Sequence, residues 1–453
     1  MKQPNKPPGF IWIVGTISLA FVVAQLDVTI VNIALPEIAR SFKADVSTLQ
    51  WIIDAYTVAF AALMLTSGNV SDLIGSKRIF QIGIFVFALA SMGCGLAWSS
   101  YSIIGFRIIQ GIGAAMMIPS SLALLNQSFL HDYKTRTHAV AIWTAAGTIA
   151  LAVGPVCGGL LIKFTNWRFI FFVNAPLCLA AILLSLRLEN YQKQVQRKFD
   201  IIGQITWTAT LTALIAIIIE WKSLGFTSPL IWGGLIVNIA MFAWFLWTER
   251  KIAYPMLPLS LFNSGHFNVL LLLGAVFNSA YYGTVFILSL YLQNVLNYQP
   301  LKAGLAFLPL TLGFFISNLV SGKIISAYGI RLPILIGLFT FSVGFAGLML
   351  TGASTPYWQL CLPFFIIPAG MGLAVPAMTN GILDSVKKDM SGTASAVFNT
   401  IRQAAGAIGV AIFGSIAVGG TNAVVHAITL CSGGCILITL TATALIFKYL
   451  KHQ

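Results

Sequence analysis

An all-helical membrane protein of fourteen spans is the fold class this sequence predicts, and three observations predict it. Only 8% of the 453 residues are charged while 58% are hydrophobic, with a mean hydropathy of +0.89; a soluble chain of this length needs a far more polar surface. Apolar stretches of about 20 residues, enough to cross a bilayer, recur along the whole chain. Between them, loops rich and poor in lysine and arginine alternate.

The first span follows the head "MKQPNKPPGF" and runs near 10–35, too long for the core of a signal peptide, so it is expected to remain as a span. Spans near 48–70, 79–98, 102–125, 139–162 and 169–186 complete a first group. Two more lie near 201–219 and 230–247, and a last group lies near 267–292, 303–322, 332–351, 358–380, 394–417 and 424–447. The expected division is a six-helix bundle over 1–190, linkers and two inserted helices over 191–265, and a second six-helix bundle over 266–453. With the N-terminus inside, 18 of the 26 basic residues fall on the inner side, Lys77, Arg78, Lys387 and Lys388 among them. Only 6 fall outside: Arg40, Lys43, Lys163, Arg168, Lys222 and Lys302. Both termini are therefore expected in the cytoplasm. The same crowding explains the net charge of +14 without nucleic acid, since no polar segment could form a basic domain with interleaved aromatics.

An internal repeat supports the two bundles. "GNVSDLIGSKR" after the second span and "GKIISAYGIR" after the tenth place Gly68, Gly75 and Lys77 opposite Gly322, Gly329 and Arg331, at a constant offset of 254. Gly111-Ile-Gly113 in the fourth span has a counterpart in Gly370-Met-Gly372 in the twelfth. Parallel halves of this kind place a binding site near the midplane between them.

Several segments resemble one family. "LDVTIVNIALPEI" (26–38) is similar to the first-span signature of the fourteen-span drug:proton antiporters (EmrB/QacA-like) of the major facilitator superfamily. "GNVSDLIGSKR" resembles that superfamily's cytoplasmic loop motif, "RIIQGIGAAMMIP" (107–119) its fourth-span motif, and "GTIALAVGPVCGG" (147–159) its antiporter-associated fifth-span motif. "NWRFIFFVNAPL", "LYLQNVLNYQPLKAG" and "NTIRQAAGAIGVAIFG" also resemble family segments, so the likeness covers nearly the whole chain. It implies a major facilitator fold in a bacterial cytoplasmic membrane and proton-driven export. Two departures thin the loop motif: Leu73 follows Asp72 where a basic residue is usual, and Ser326 stands in the second copy where the Asp would be.

The costliest residues are the ionisable ones inside spans. Asp27 lies nine residues before Pro36, hence about 14 Å from the outer end of its span. Asp54 and Arg107 reach similar depth, and the second bundle has no carboxylate within a span. Proton coupling would then fall on Asp27, Asp54 and Arg107, with Asp27 first. The bland alternatives are a fixed Asp27–Arg107 pair and an Asp54 at the wet interface, close to Gln50 and Trp51. Arg402, mid-span, either meets a polar or anionic part of a substrate or satisfies backbone carbonyls. Asn278, Tyr281 and Tyr282 either line a cavity or bond between helices. Gly68, Asp72, Gly75 and Lys77 are expected to act in conformational change, with the alternative of a solvated turn. In "GPVCGG", Pro155 distorts its helix while Gly154, Gly158 and Gly159 permit close packing.

The expected function is proton-coupled export of hydrophobic or amphiphilic small molecules such as drugs or biocides. The alternative is dedicated transport of an endogenous metabolite such as a siderophore. No enzyme is expected: no nucleophile–base arrangement or metal cluster is visible, histidines 131, 138, 266, 426 and 452 are scattered, and no loop could house a nucleotide-binding domain. The expected partners are substrate, protons and the bilayer, with a membrane-fusion protein admissible beside them. No cofactor or metal is implied.

Overall fold

The computed structural model describes residues 9–130, 132–189, 200–225, 227–252, 255–386 and 390–449. The expected basic residues Lys2, Lys6, Lys193, Arg197, Lys198, Lys387, Lys388 and Lys451, His131 and His452, and the side chains of Asp72 and Lys134 lie outside the described residues. Among those described, every regular element is helical.

Helix α1 (Phe10–Phe42) is followed by α2 (Val46–Ile74), α3 (Ser76–Gly95), α4 (Ser100–Ser128) and α5 (Tyr133–Phe164). Then come α6 (Phe169–Phe172), α7 (Asn174–Ser185), α8 (Ile201–Leu224) and α9 (Pro229–Lys251). The remainder are α10 (Gly265–Leu290), α11 (Pro300–Ala306), α12 (Leu308–Tyr328), α13 (Arg331–Leu348), α14 (Tyr357–Asp384), α15 (Ser391–Ile416) and α16 (Thr421–Tyr449). Among the described residues, 12 helical segments are individually long and apolar enough to cross a membrane. Helix α5 bends by 42° between Leu151 and Val153 and would make a further span, while the apolar segment Phe169–Ser185 is shorter than the rest. Outward-facing Leu350, Ile11, Leu230, Ile236 and Leu437 stay exposed, as a hydrocarbon-facing surface requires.

The halves repeat one packing device. Gly83 of α3 and Gly113 of α4 face each other: a side-chain carbon on Gly113 would lie 2.8 Å from the Gly83 carbonyl oxygen. Gly337 of α13 and Gly370 of α14 do the same, at 2.5 Å. By contact, then, Gly113 corresponds to Gly370. Gly111 faces α2 and Gly372 faces α12, so the two Gly-x-Gly motifs meet their neighbours in opposite order. The loop copies agree better. Gly75 and Gly329 both take positive φ, 103° and 74°, and each N–H closes the preceding helix on Ser71 or Ile325; only glycine does this without strain.

The halves close on each other at the end away from the termini. The Gln50 amide donates to the carbonyls of Val410 (3.3 Å) and Ala411 (2.7 Å), joining α2 to α15. Ser289 donates to Asn32 O at 2.5 Å and Gln293 to Ile33 O at 3.1 Å, joining α10 and its terminal turn to α1. Each such bond contributes roughly 0.5–1.5 kcal/mol net.

The inserted pair touches both halves. Gln204 of α8 donates to Ala62 O of α2 at 3.0 Å and accepts from Thr66. At its other end Lys222 caps α15 through Ile416 O (3.0 Å) and Val418 O (2.7 Å).

Candidate functional site

Asp27 and Asp54 are both wholly buried, yet their surroundings are opposite. Asp27 of α1 forms an ion pair with the Arg107 guanidinium of α4 through Oδ2. Its Oδ1 accepts from Gln110 Nε2 at 2.9 Å and from Asn174 Nδ2 of α7 at 3.0 Å. Arg107 is spent as fully: Nε donates to Ile52 O (3.0 Å), a terminal nitrogen donates to Gln110 Oε1 (2.8 Å), and the guanidinium lies 4.2 Å from the centre of the Tyr56 ring. Asn174 also donates to Ser91 Oγ, which donates to Phe171 O. Side chains of α4 and α7 thus reach the α1 carboxylate directly, and groups of α2, α3 and α6 hold those side chains in turn. A paired and multiply hydrogen-bonded carboxylate is what a low-dielectric site tolerates as the anion.

Asp54 of α2 has no hydrogen-bond partner on either carboxyl oxygen. It lies one turn from Gln50 and so on the face that meets α15. The small residues of α15 before Val410, "AAGAIG" (404–409), let it approach α10: Gly406 packs on Tyr282 and Gly409 on the Ser279 backbone. Asp54 is wholly buried in this conformation.

The substrate-side candidates separate. Arg402 is half-buried, its Nε has no partner, and its guanidinium lies 5.4 Å from the centre of the Phe398 ring. Tyr282 of α10 packs on Gly406, within Coulombic reach of Arg402. Tyr281 stands edge-on to Tyr282 at 5.5 Å but is itself core, 3% exposed. Asn278 turns back to Gly274 O of its own helix at 2.8 Å. Tyr56, whose hydroxyl is buried without a hydrogen-bond partner, lies with its ring under the Arg107 guanidinium.

The "GPVCGG" segment works as a joint. Pro155 cannot donate to Leu151 O, and the Thr29 hydroxyl of α1 takes that carbonyl instead at 2.9 Å. A side chain at Gly154 would collide with Thr29 Oγ1. Gly158 faces Ile30, whereas Gly159 faces the other half: a carbon added there would lie 2.7 Å from Pro300 O and 2.9 Å from Leu301 Cα. Gly304 returns the contact against Pro155 O. Gly159→Leu is therefore expected to prop the distal seam open. In a background lacking the native cysteines, disulfide formation between Gln50→Cys and Ala411→Cys should fall several-fold.

Lys77 caps the end of α7 through Leu186 O (2.9 Å) and Leu188 O (2.6 Å). Its repeat partner Arg331 lies over Phe447 of α16 at 5.1 Å. Gly68 has open space around it. Lys77→Ala should cost about 1 kcal/mol, read as a lower melting temperature. Gln110, Asn174 and Tyr56 escaped sequence reasoning. Only the i, i+3 spacing of Gln110 from Arg107 and the placing of Asn174 inside "NWRFIFFVNAPL" pointed to them.

Residues 17–410 match the model of the Major Facilitator Superfamily. The chain is 33% identical to the methylenomycin A resistance protein of Bacillus subtilis (strain 168), over 88% of this chain and 86% of that protein. It is 34% identical to the puromycin resistance protein pur8 of Streptomyces alboniger (91% and 82% covered) and 32% identical to the multidrug resistance protein Stp of Mycobacterium tuberculosis (86% and 73%). A crystal structure of the nucleoside transporter NupG superposes with a TM-score of 0.68 over 96% of this chain and 99% of that one; at 13% identity the likeness is one of fold.

Proposed function

This chain belongs to the Major Facilitator Superfamily, and from that premise we propose a proton-coupled antiporter that exports hydrophobic or amphiphilic small molecules of the antibiotic class. It is a transporter rather than an enzyme, seated in the cell membrane. Relatives named for resistance to methylenomycin A, puromycin and tetracenomycin C favour this over carriage of an endogenous metabolite. Nothing in the comparisons calls for a membrane-fusion partner.

Within the superfamily, the fourteen-span drug:proton antiporters are the proposed branch. The long helices, the bent α5, the shorter Phe169–Ser185 and the inserted α8–α9 supply the required elements. In this reading 1–190 and 266–453 are the rocking halves, 191–265 joins them, and the termini lie in the cytoplasm. The closed distal seam then faces outward.

The contrast between the two buried carboxyls carries the proposal. Asp27 is held as an anion by Arg107, Gln110 and Asn174, which makes it the anchor of the first bundle. Asp54, on the seam and unpartnered, fits as the proton carrier. Burying a charged carboxylate without partners costs several kcal/mol, as much as or more than the seam's hydrogen bonds return. The outer seam therefore closes only with a proton on Asp54. Substrate entering from the cytoplasm, received beside Arg402 and Tyr282, loosens the seam and displaces that proton. Once open, Asp54 reloads from the outside.

Expression in a susceptible bacterium should raise resistance to methylenomycin A, puromycin or tetracenomycin C, and a protonophore should abolish efflux of the same compound. Unchanged susceptibility to the whole panel, or efflux indifferent to the protonophore, would count against the proposal.

A further inference from the structure

A second pair of carboxyls sits where the inserted helices begin and end. Asp200 caps α8, its Oδ1 accepting from Gly203 N–H at 2.8 Å. Glu249, in the last turn of α9 and 3% exposed, accepts from Leu257 N–H at 2.9 Å through Oε2. The remaining oxygens, Asp200 Oδ2 and Glu249 Oε1, are buried with no other partner. They face each other across the space left by Gly203, where any side-chain carbon would collide with both. A carbon on Gly203 would run into Asp200 Oδ2 and lie 2.6 Å from Glu249 Oε1, so the two oxygens are close neighbours in contact with one small space. Two carboxylates are both acceptors, so that contact becomes a hydrogen bond only when one of them holds a proton.

Among the described residues, neither carboxyl has a basic group within ion-pair distance. Arg250 is exposed, and the Lys251 ammonium lies over the Trp247 ring at 3.8 Å. Helix α2 brings Thr66 toward α8, the segment before α10 brings Met256 and the Leu257 amide, and the charge on α15, Arg402, packs on Gly274 of α10.

We propose that Asp200 and Glu249 hold one proton between them, at a site separate from Asp27 and Asp54, and that this proton clamps the inserted pair onto α2. The clamp is short. Gln204, one turn after Asp200, donates to Ala62 O and accepts from Thr66, whose hydroxyl also reaches Met256 Sδ at 3.5 Å. Protonated, the pair ties the start of α8, the end of α9 and the approach to α10 to the same turn of α2. Deprotonated, two like charges face each other there and the tie loosens. The stabilisation is thus present at low pH and lost as pH rises.

The test uses the full chain in lipid nanodiscs, in an Asp54→Asn background, by infrared difference spectroscopy between mildly acidic and mildly alkaline buffer. A carboxylic-acid C=O band should disappear on alkalinisation, together with release of about one proton per chain. Both should be missing in Asp200→Asn and in Glu249→Gln. Gly203→Ala, which keeps both carboxyls but inserts a methyl between them, should displace the band. The melting temperature should fall with rising pH in the background protein and stay flat in Glu249→Gln. A band retained in either single variant, a band unmoved by Gly203→Ala, or a band removed by Mg²⁺ or Ca²⁺ at constant pH would overturn the shared proton. The result is independent of what the protein exports.

Discussion

Asp54→Asn is expected to abolish concentrative transport while leaving the protein folded. A pH difference of one unit supplies about 1.4 kcal/mol per proton, hence about tenfold accumulation of substrate for each proton exchanged. In proteoliposomes with such a gradient, the wild-type chain should reach that ratio with puromycin or a lipophilic dye. The Asn variant should equilibrate its substrate and go no further. Asn has nearly the shape of the protonated acid and carries no charge into the seam, so closure and substrate exchange should survive. Exchange between preloaded and external substrate at equal pH separates this outcome from misfolding: the variant exchanges but does not concentrate.

Replacing Asp27 should act differently. Asp27→Ala leaves the Arg107 guanidinium buried without its counter-charge, 1% exposed and hemmed in by Tyr56, Ile52 and Gln110. Removing one partner of a buried pair costs about 3–5 kcal/mol, enough to lower the melting temperature sharply and deplete the protein from the membrane. Asp27→Ala combined with Arg107→Leu removes both charges and should recover much of that loss, a coupling that a double-mutant cycle in thermal melts would measure. An Asp27→Ala protein as stable as wild type, yet uncoupled from protons, would restore Asp27 to the leading role that its position in the first span first earned it.

The sequence made the membrane class legible because hydropathy and loop charge report directly on the bilayer. It also exposed the glycine turns at Gly75 and Gly329, since a positive φ needs a particular residue. Helix rotation was not legible. That Asp54 is wholly buried without a hydrogen-bond partner depends on how closely helices far apart in sequence approach, which no local pattern encodes. Gln110 and Asn174 are neutral amides with weak hydropathy signals, so Asp27's full set of partners stayed hidden although Arg107 was visible. The apolar run near 169–186 is the shorter apolar helical stretch Phe169–Ser185, through which Val173 keeps helical dihedrals between α6 and α7. Asn278, read as lining a cavity or bonding between helices, donates to Gly274 O of its own helix.

The most direct measurement is the count of protons released when substrate binds. In weakly buffered detergent solution, saturating the wild-type protein with an exported compound should release about one proton per chain, and Asp54→Asn should release none. Binding without proton release in the wild type, or equal release from the Asp54→Asn protein, would contradict the assignment of Asp54 as the carrier.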